Sequence, residues 1–182
     1  MPDRSQQILI KERREAAMLS KTLQDAINEQ IKDELYSAYL YLSMSAHFET
    51  VHLPGFGRWM RLQSQEEVLH AMKLFDFIHH RGGRTVLQAI DQPPAGFKSP
   101  LDVFQQALDH ERKVTGMIHR LYELAVKEND YATQVQLQWF ITEQAEEERT
   151  AGEVVEQLKI IGDQTAALFM LDRQLGARGA DQ

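Results

Sequence analysis

Cysteine is missing from all 182 residues, which excludes disulfides, thiolate metal sites and cysteine nucleophiles together. Proline is scarce, with five residues in total. None falls beyond the first position of the long periodic segments described below, where it would break a helix. No apolar run approaches the ~20 residues needed to span a bilayer. The opening "MPDRSQQILIKERREAAMLSK" carries charges throughout and no apolar stretch of about 7–15 residues, so it does not read as a secretory signal. A cytoplasmic protein without a membrane partner is the expectation. Cations are the minority, 20 Lys and Arg against 27 Asp and Glu for a net charge of -7. That balance argues against a nucleic-acid partner, because no cationic excess exists to displace counterions. Period-2 alternation, the mark of a half-buried strand, is absent over any useful length.

What remains is helical. A chain of 21.0 kDa with 43% hydrophobic and 26% charged residues suits one globular domain with a real core. Four long segments show helical periodicity. The first runs from about Ser20, a plausible N-cap, to about Glu49, and the second from Pro54 to the turn at Arg81–Gly83. The third opens with Ser99 as cap and Pro100 at the first helical position and ends near Asn129. The fourth runs from Tyr131 to Gly162. The apolar stretch "TAALFMLDRQL" predicts a stubby fifth helix. Short connections after the first and third segments make each pair an antiparallel hairpin. Roughly sixteen residues separate the second from the third, enough to reach about 50 Å when extended, against about 40 Å for helices of this length. The expected fold is all-α: a four-helix bundle with one long crossover connection and a short fifth C-terminal helix. Residues 1–18 would be an N-terminal extension, 19–162 the bundle, and 163–182 the fifth helix and tail.

Each helix carries an apolar seam, and each seam is broken near its middle by polar groups. The seams are Ile27-Ile31-Glu34-Ala38-Tyr41-Ser45-Phe48, Met60-Gln63-Glu67-His70-Leu74-Phe77, Phe104-Leu108-Glu111-Thr115-Ile118-Tyr122-Ala125 and Leu137-Phe140-Gln144-Glu147-Ala151-Val154-Leu158-Ile161. Antiparallel packing brings the midpoints to one level, so Glu34, Glu67, His70, Glu111, Gln144 and Glu147 should share a layer. A buried carboxylate costs several kcal/mol, and no Lys or Arg occupies these seam positions. Proton uptake or bound cations must compensate. Two divalent ions would balance four carboxylates. The imidazole favours a transition metal over calcium or magnesium, and the carboxylate majority favours iron or manganese over structural zinc.

The E-x-x-H spacing alone is weak, since chance supplies about 0.6 matches in such a chain. A second copy, Glu49 to His52, lies at a helix end beside Pro54 and reads as a solvated decoy. The methionines read as packing, and His79, His80 and His110 as solvated groups at helix ends or outer faces.

The stretches "NEQIKDELYSAYLYLSMSAHFE", "QEEVLHAMKLFDFI", "DHERK" and "LQWFITEQAEEE" resemble the bacterial non-haem ferritins over about Met18 to Arg178. That resemblance implies a ferroxidase that stores ferric mineral in a homo-oligomeric shell of twenty-four subunits. It implies two irons per subunit: Glu34, His70 and a bridging Glu67 would hold one, Glu67 and Glu111 the other, with Gln144 and Glu147 close by. A third iron site would draw on Glu66, Glu143, Glu146 and Glu147. Tyr41 would supply an electron or a hydrogen bond; Trp139 could do the same, though its place near a helix start reads as core. Fe(II) and dioxygen, or peroxide, would be the substrates. Haem is not expected, because the fourth helix lacks an E-x-x-H and Val68 follows Glu67 where haem-binding relatives carry methionine. Gln134 and Leu137 stand where animal ferritins place pore acids. Two other readings stay open: a di-metal detoxification protein that consumes peroxide, and a non-catalytic helical bundle.

Overall fold

The computed structural model describes residues 18–178 and contains five helices and, among the described residues, no strand. The N-terminal extension expected at 1–18 lies, Met18 apart, outside the described residues. Helix α1 spans Lys21–Thr50, α2 Pro54–His80, α3 Pro100–Lys127, α4 Tyr131–Ile161 and α5 Thr165–Gly176. Among the described residues, no helix is long and apolar enough to cross a membrane.

The starts follow local chemistry. The Ser20, Ser99 and Asp130 side chains accept from the backbone N–H of Leu23, Asp102 and Thr133, at 3.1, 3.1 and 2.9 Å, satisfying donors that a helix start leaves unpaired. Helix α2 opens on Leu53 and Pro54, which offer no side-chain cap of their own. Its cap comes from α5: Asp172, buried, accepts from Phe56 N at 2.9 Å. The end of α2 is a left-handed stop at Gly82 (φ 68), where Gly83 N donates to Ile78 O at 2.9 Å, a conformation glycine adopts without steric cost.

Helices α1 and α2 form one hairpin and α3 and α4 the other. The crossover runs back along α1, as its reach predicts. Gln24 and Asn28 bind the backbone of Arg84 and Val86 near one end, and near the other Ser43 donates to Pro94 O while His47 meets the Phe97 ring. Helix α3 therefore begins beside the end of α1, where Phe104 packs on Phe48 and Phe56.

The interior divides into two apolar clusters. One joins Phe48, Phe56, Met60, Phe104 and Val155, and the other Ile27, Ile31, Leu74, Ile118 and Phe140. Along every long helix the acid-bearing layer falls between them. The seams hold, with small corrections: Phe77, Thr115, Tyr122 and Ile161 are only partly buried, and Ile78 fills the core position expected of Phe77. Met44 and Met60 pack inside, whereas Met18, Met72 and Met170 are exposed.

Candidate metal centre

Six polar side chains occupy the layer between the two apolar clusters. Glu34, Glu67, His70, Glu111, Gln144 and Glu147 are each at most 7% exposed. Ligand atoms of Glu34, Glu67 and His70 all lie within 4.8 Å of one another, and so do those of a second triad, His70, Glu143 and Glu147. His70 is shared: its Nδ1 is 3.3 Å from Glu67 and its Nε2 is 3.9 Å from Glu143.

Neutral donors reach the carboxylates. Gln30 donates to Glu34 at 2.9 Å, Gln63 to Glu147 at 2.6 Å and more weakly to Glu67 at 3.4 Å, and Gln144 to Glu111 at 3.1 Å. The Tyr41 hydroxyl also donates to Glu111. Glu34 Oε2 is buried with no hydrogen-bond partner, a condition that costs about 1–3 kcal/mol or more for a charged group.

The electrostatics follow from burial. Desolvation raises all four carboxyls. Glu34 and Glu67 stand well above the ordinary 4.5, with the Glu67 charge adding to Glu34 and those of Glu111 and Glu147 to Glu67. Glu111 and Glu147 are each pushed up to about 7. Tyr41, enclosed and facing Glu111, is raised well above its usual range, so it stays a hydroxyl donor. Metal-free, the layer tolerates its acids by keeping protons; a cation would displace them.

The other sequence-derived candidates are placed as follows. Glu111 belongs to neither triad; Tyr41 and Gln144 hold it at the side of the layer. Glu66 and Glu146 are also outside both: Glu66 accepts from Arg178 at 2.6 Å, and Glu146 pairs with Arg149 on the exposed face. Trp139 is not core. It is 37% exposed, stands 5.3 Å edge-on from the His70 ring, and carries Lys73 over its face at 4.0 Å. Leu137 is buried in the core, so it lines no pore in this fold. Glu49 and His52 are exposed, as expected of a decoy.

His110 corrects the sequence reading. It is half-buried rather than fully solvated; its Nε2 lies 2.7 Å from Ser37 Oγ, and it sits beside the Tyr36 and Tyr41 rings. Desolvation, then the Lys113 charge, lowers its pKa to about 4. Because Ser37 donates to Asp33 O, the imidazole nitrogen is the donor in that pair. Sequence reasoning also passed over Gln30 and Gln63 as participants. Each lies four residues before a layer acid, a spacing that puts the amide on the same helix face.

Comparison with known proteins gives the family. The family profile described as "Ferritin-like domain" matches residues 24–161. The bacterial non-heme ferritin of Bacteroides fragilis is 47% identical over 161 residues, covering 88% of this chain and all of the relative. That of Staphylococcus haemolyticus is 37% identical over 165 residues, covering 91% and 99%. Among solved structures, an open pore ferritin of the archaeon Archaeoglobus fulgidus superposes with a TM-score of 0.88 at 49% identity, covering 88% of this chain and 99% of that one. With a ferritin-like family profile over residues 24–161 and a relative 47% identical across most of the chain, the chain belongs to the ferritin family.

Proposed function

We propose that this chain is the subunit of an iron-storage ferritin and a ferroxidase. Fe(II) is its substrate. One ion would be held by Glu34, Glu67 and His70, and a second would draw on Glu67, Glu111 and Glu147. Each Fe(II) gives up one electron; one dioxygen accepts two and, with two protons, leaves as hydrogen peroxide. The resulting Fe(III) passes to mineral within a homo-oligomeric shell of twenty-four subunits. The protein contributes a template: paired oxygen-rich sites a short distance apart inside a dry layer. Gln30, Gln63 and Tyr41 orient the carboxylates, and no haem enters the scheme.

What supports this reading is the buried layer itself, four carboxylates reached by neutral donors, one of them with an oxygen that has no partner. Its imidazole-plus-carboxylate donor set suits Fe(II). The relatives' names, bacterial non-heme ferritin, agree.

The test is an anaerobic Fe(II) titration of size-fractionated protein followed by a pulse of oxygen. Saturable binding of two ions per subunit, then rapid oxidation to soluble ferric product, is expected. Both are lost in Glu67→Ala or His70→Ala. Oxidation of wild-type samples no faster than in buffer alone would end the proposal.

A further inference from the structure

One cation reaches the edge of the buried layer from far along the chain. Arg178, just beyond α5, donates from Nη1 to Gln63 Oε1 at 3.0 Å and from Nη2 to Glu66 Oε2 at 2.6 Å. Its guanidinium carbon lies 4.9 Å from the centroid of the buried Trp59 ring. Gln63, 1% exposed, turns its other end inward and donates to Glu147 Oε2 at 2.6 Å.

A guanidinium has donors only, and a carboxyl offers an acceptor oxygen with or without its proton. The amide between them therefore turns its oxygen toward Arg178 and its nitrogen toward Glu147. Reversed, it would set N–H against N–H at Arg178. Arg178 thus decides which end of Gln63 the layer sees.

Resting on the metal-centre reading above, we propose that Arg178 is a positioning residue that restrains the binding of a second cation at Glu147, acting through Gln63. Two effects have the same sign. A Glu147 oxygen engaged by Gln63 must give up that bond to use the same lone pair on a metal. The amide oxygen of Gln63, held by Arg178, is withheld as a ligand. The Glu34–Glu67–His70 triad, tied to Gln63 only by the long 3.4 Å contact, escapes most of this restraint. The tail thereby makes the two cation positions unequal, one tight and the one that uses Glu147 easily emptied.

The probe is Zn(II), which needs no oxidant, in equilibrium dialysis against assembled, metal-stripped, full-length protein. Arg178→Met keeps the aliphatic stem and removes the charge and both donors. It should tighten the weaker Zn(II) constant about tenfold, the scale of one charge-assisted hydrogen bond, and leave the tighter constant unchanged. Arg178→Lys keeps the charge without the fork and should fall between. In a Gln63→Met background, Arg178→Met should add little. An unaltered weaker constant in Arg178→Met overturns the proposal, as does the full tenfold gain persisting without Gln63. Wild-type protein that binds no Zn(II) saturably would overturn the metal centre itself, a separate outcome.

Discussion

Tyr41 shows how much one hydroxyl governs. Its O–H donates to Glu111, which also accepts from Gln144. These bonds favour the ionised carboxylate and hold the Glu111 pKa near about 7 against a larger desolvation. Tyr41→Phe should raise that pKa further, because the charged form loses a donor. The expected outcomes are a metal-free protein less stable by about 1–2 kcal/mol in denaturant melts and an upward move in the pH midpoint of Zn(II) binding. An unmoved midpoint would place the hydroxyl outside the electrostatics of the layer. The layer acids themselves were legible in the sequence, since an acid in an apolar seam breaks a local pattern. The partners that orient them were not: Gln63 meets Glu147 across 84 positions of chain, and no local period reports such a pairing.

Helix α5 is more than a tail. Gly55 at the start of α2 lies against the Asp172 backbone so closely that an added Cβ would fall 1.7 Å from Asp172 O, and Gly176 approaches Gly55 in turn. The same contact lets Asp172 cap α2. Gly55→Ala should force α5 off its seat, costing about 1–3 kcal/mol as overpacking does and exposing Thr165–Gly176 to limited proteolysis. Asp172→Ala introduces no clash and should cost only the cap, about 0.5–2 kcal/mol. Equal protease resistance in Gly55→Ala and wild type would show that the helix docks elsewhere in solution. The "TAALFMLDRQL" stretch announced a helix by its apolar content, but an acid near its end carried no sign of serving another helix 116 residues away.

For the whole molecule, the layer sets how stability depends on pH. Glu34, Glu67, Glu111 and Glu147 all have folded pKa values raised above 4.5. Between 4.5 and about 7 the folded metal-free protein therefore holds more protons than the unfolded chain, so stability falls as pH rises through that window. His110, lowered to about 4 from 6.5, pulls the other way between those values, but as one proton against four. Metal-free protein should melt at higher temperature at pH 5 than at pH 7.5, and a saturating divalent metal should remove or invert the difference. A metal-free melting temperature that climbs over this range would contradict the burial of these acids.

The surface bears on assembly. Tyr39 and Leu42 on α1, with Val86, Leu87 and Ile90 on the crossover that runs along it, are large apolar side chains left exposed, and a subunit contact would cover them. Leu42→Arg should shift size-exclusion profiles toward smaller species while leaving helical content intact. An unchanged profile would place that stripe outside any subunit contact.

Sequence alone determined the all-α fold, the ends of the helices, the length of the crossover and the level at which acids interrupt the seams. Those features rest on helical period, capping residues and chain reach, all of which act over a few neighbours or by simple length. Tertiary structure alone decided that His110 is half-buried against Ser37, that Glu66 turns to Arg178, that Trp139 is partly outside, and that Asp172 caps α2. Each of these depends on which side chain arrives opposite which once separate helices have packed. A donor's choice of acceptor is made there, in three dimensions.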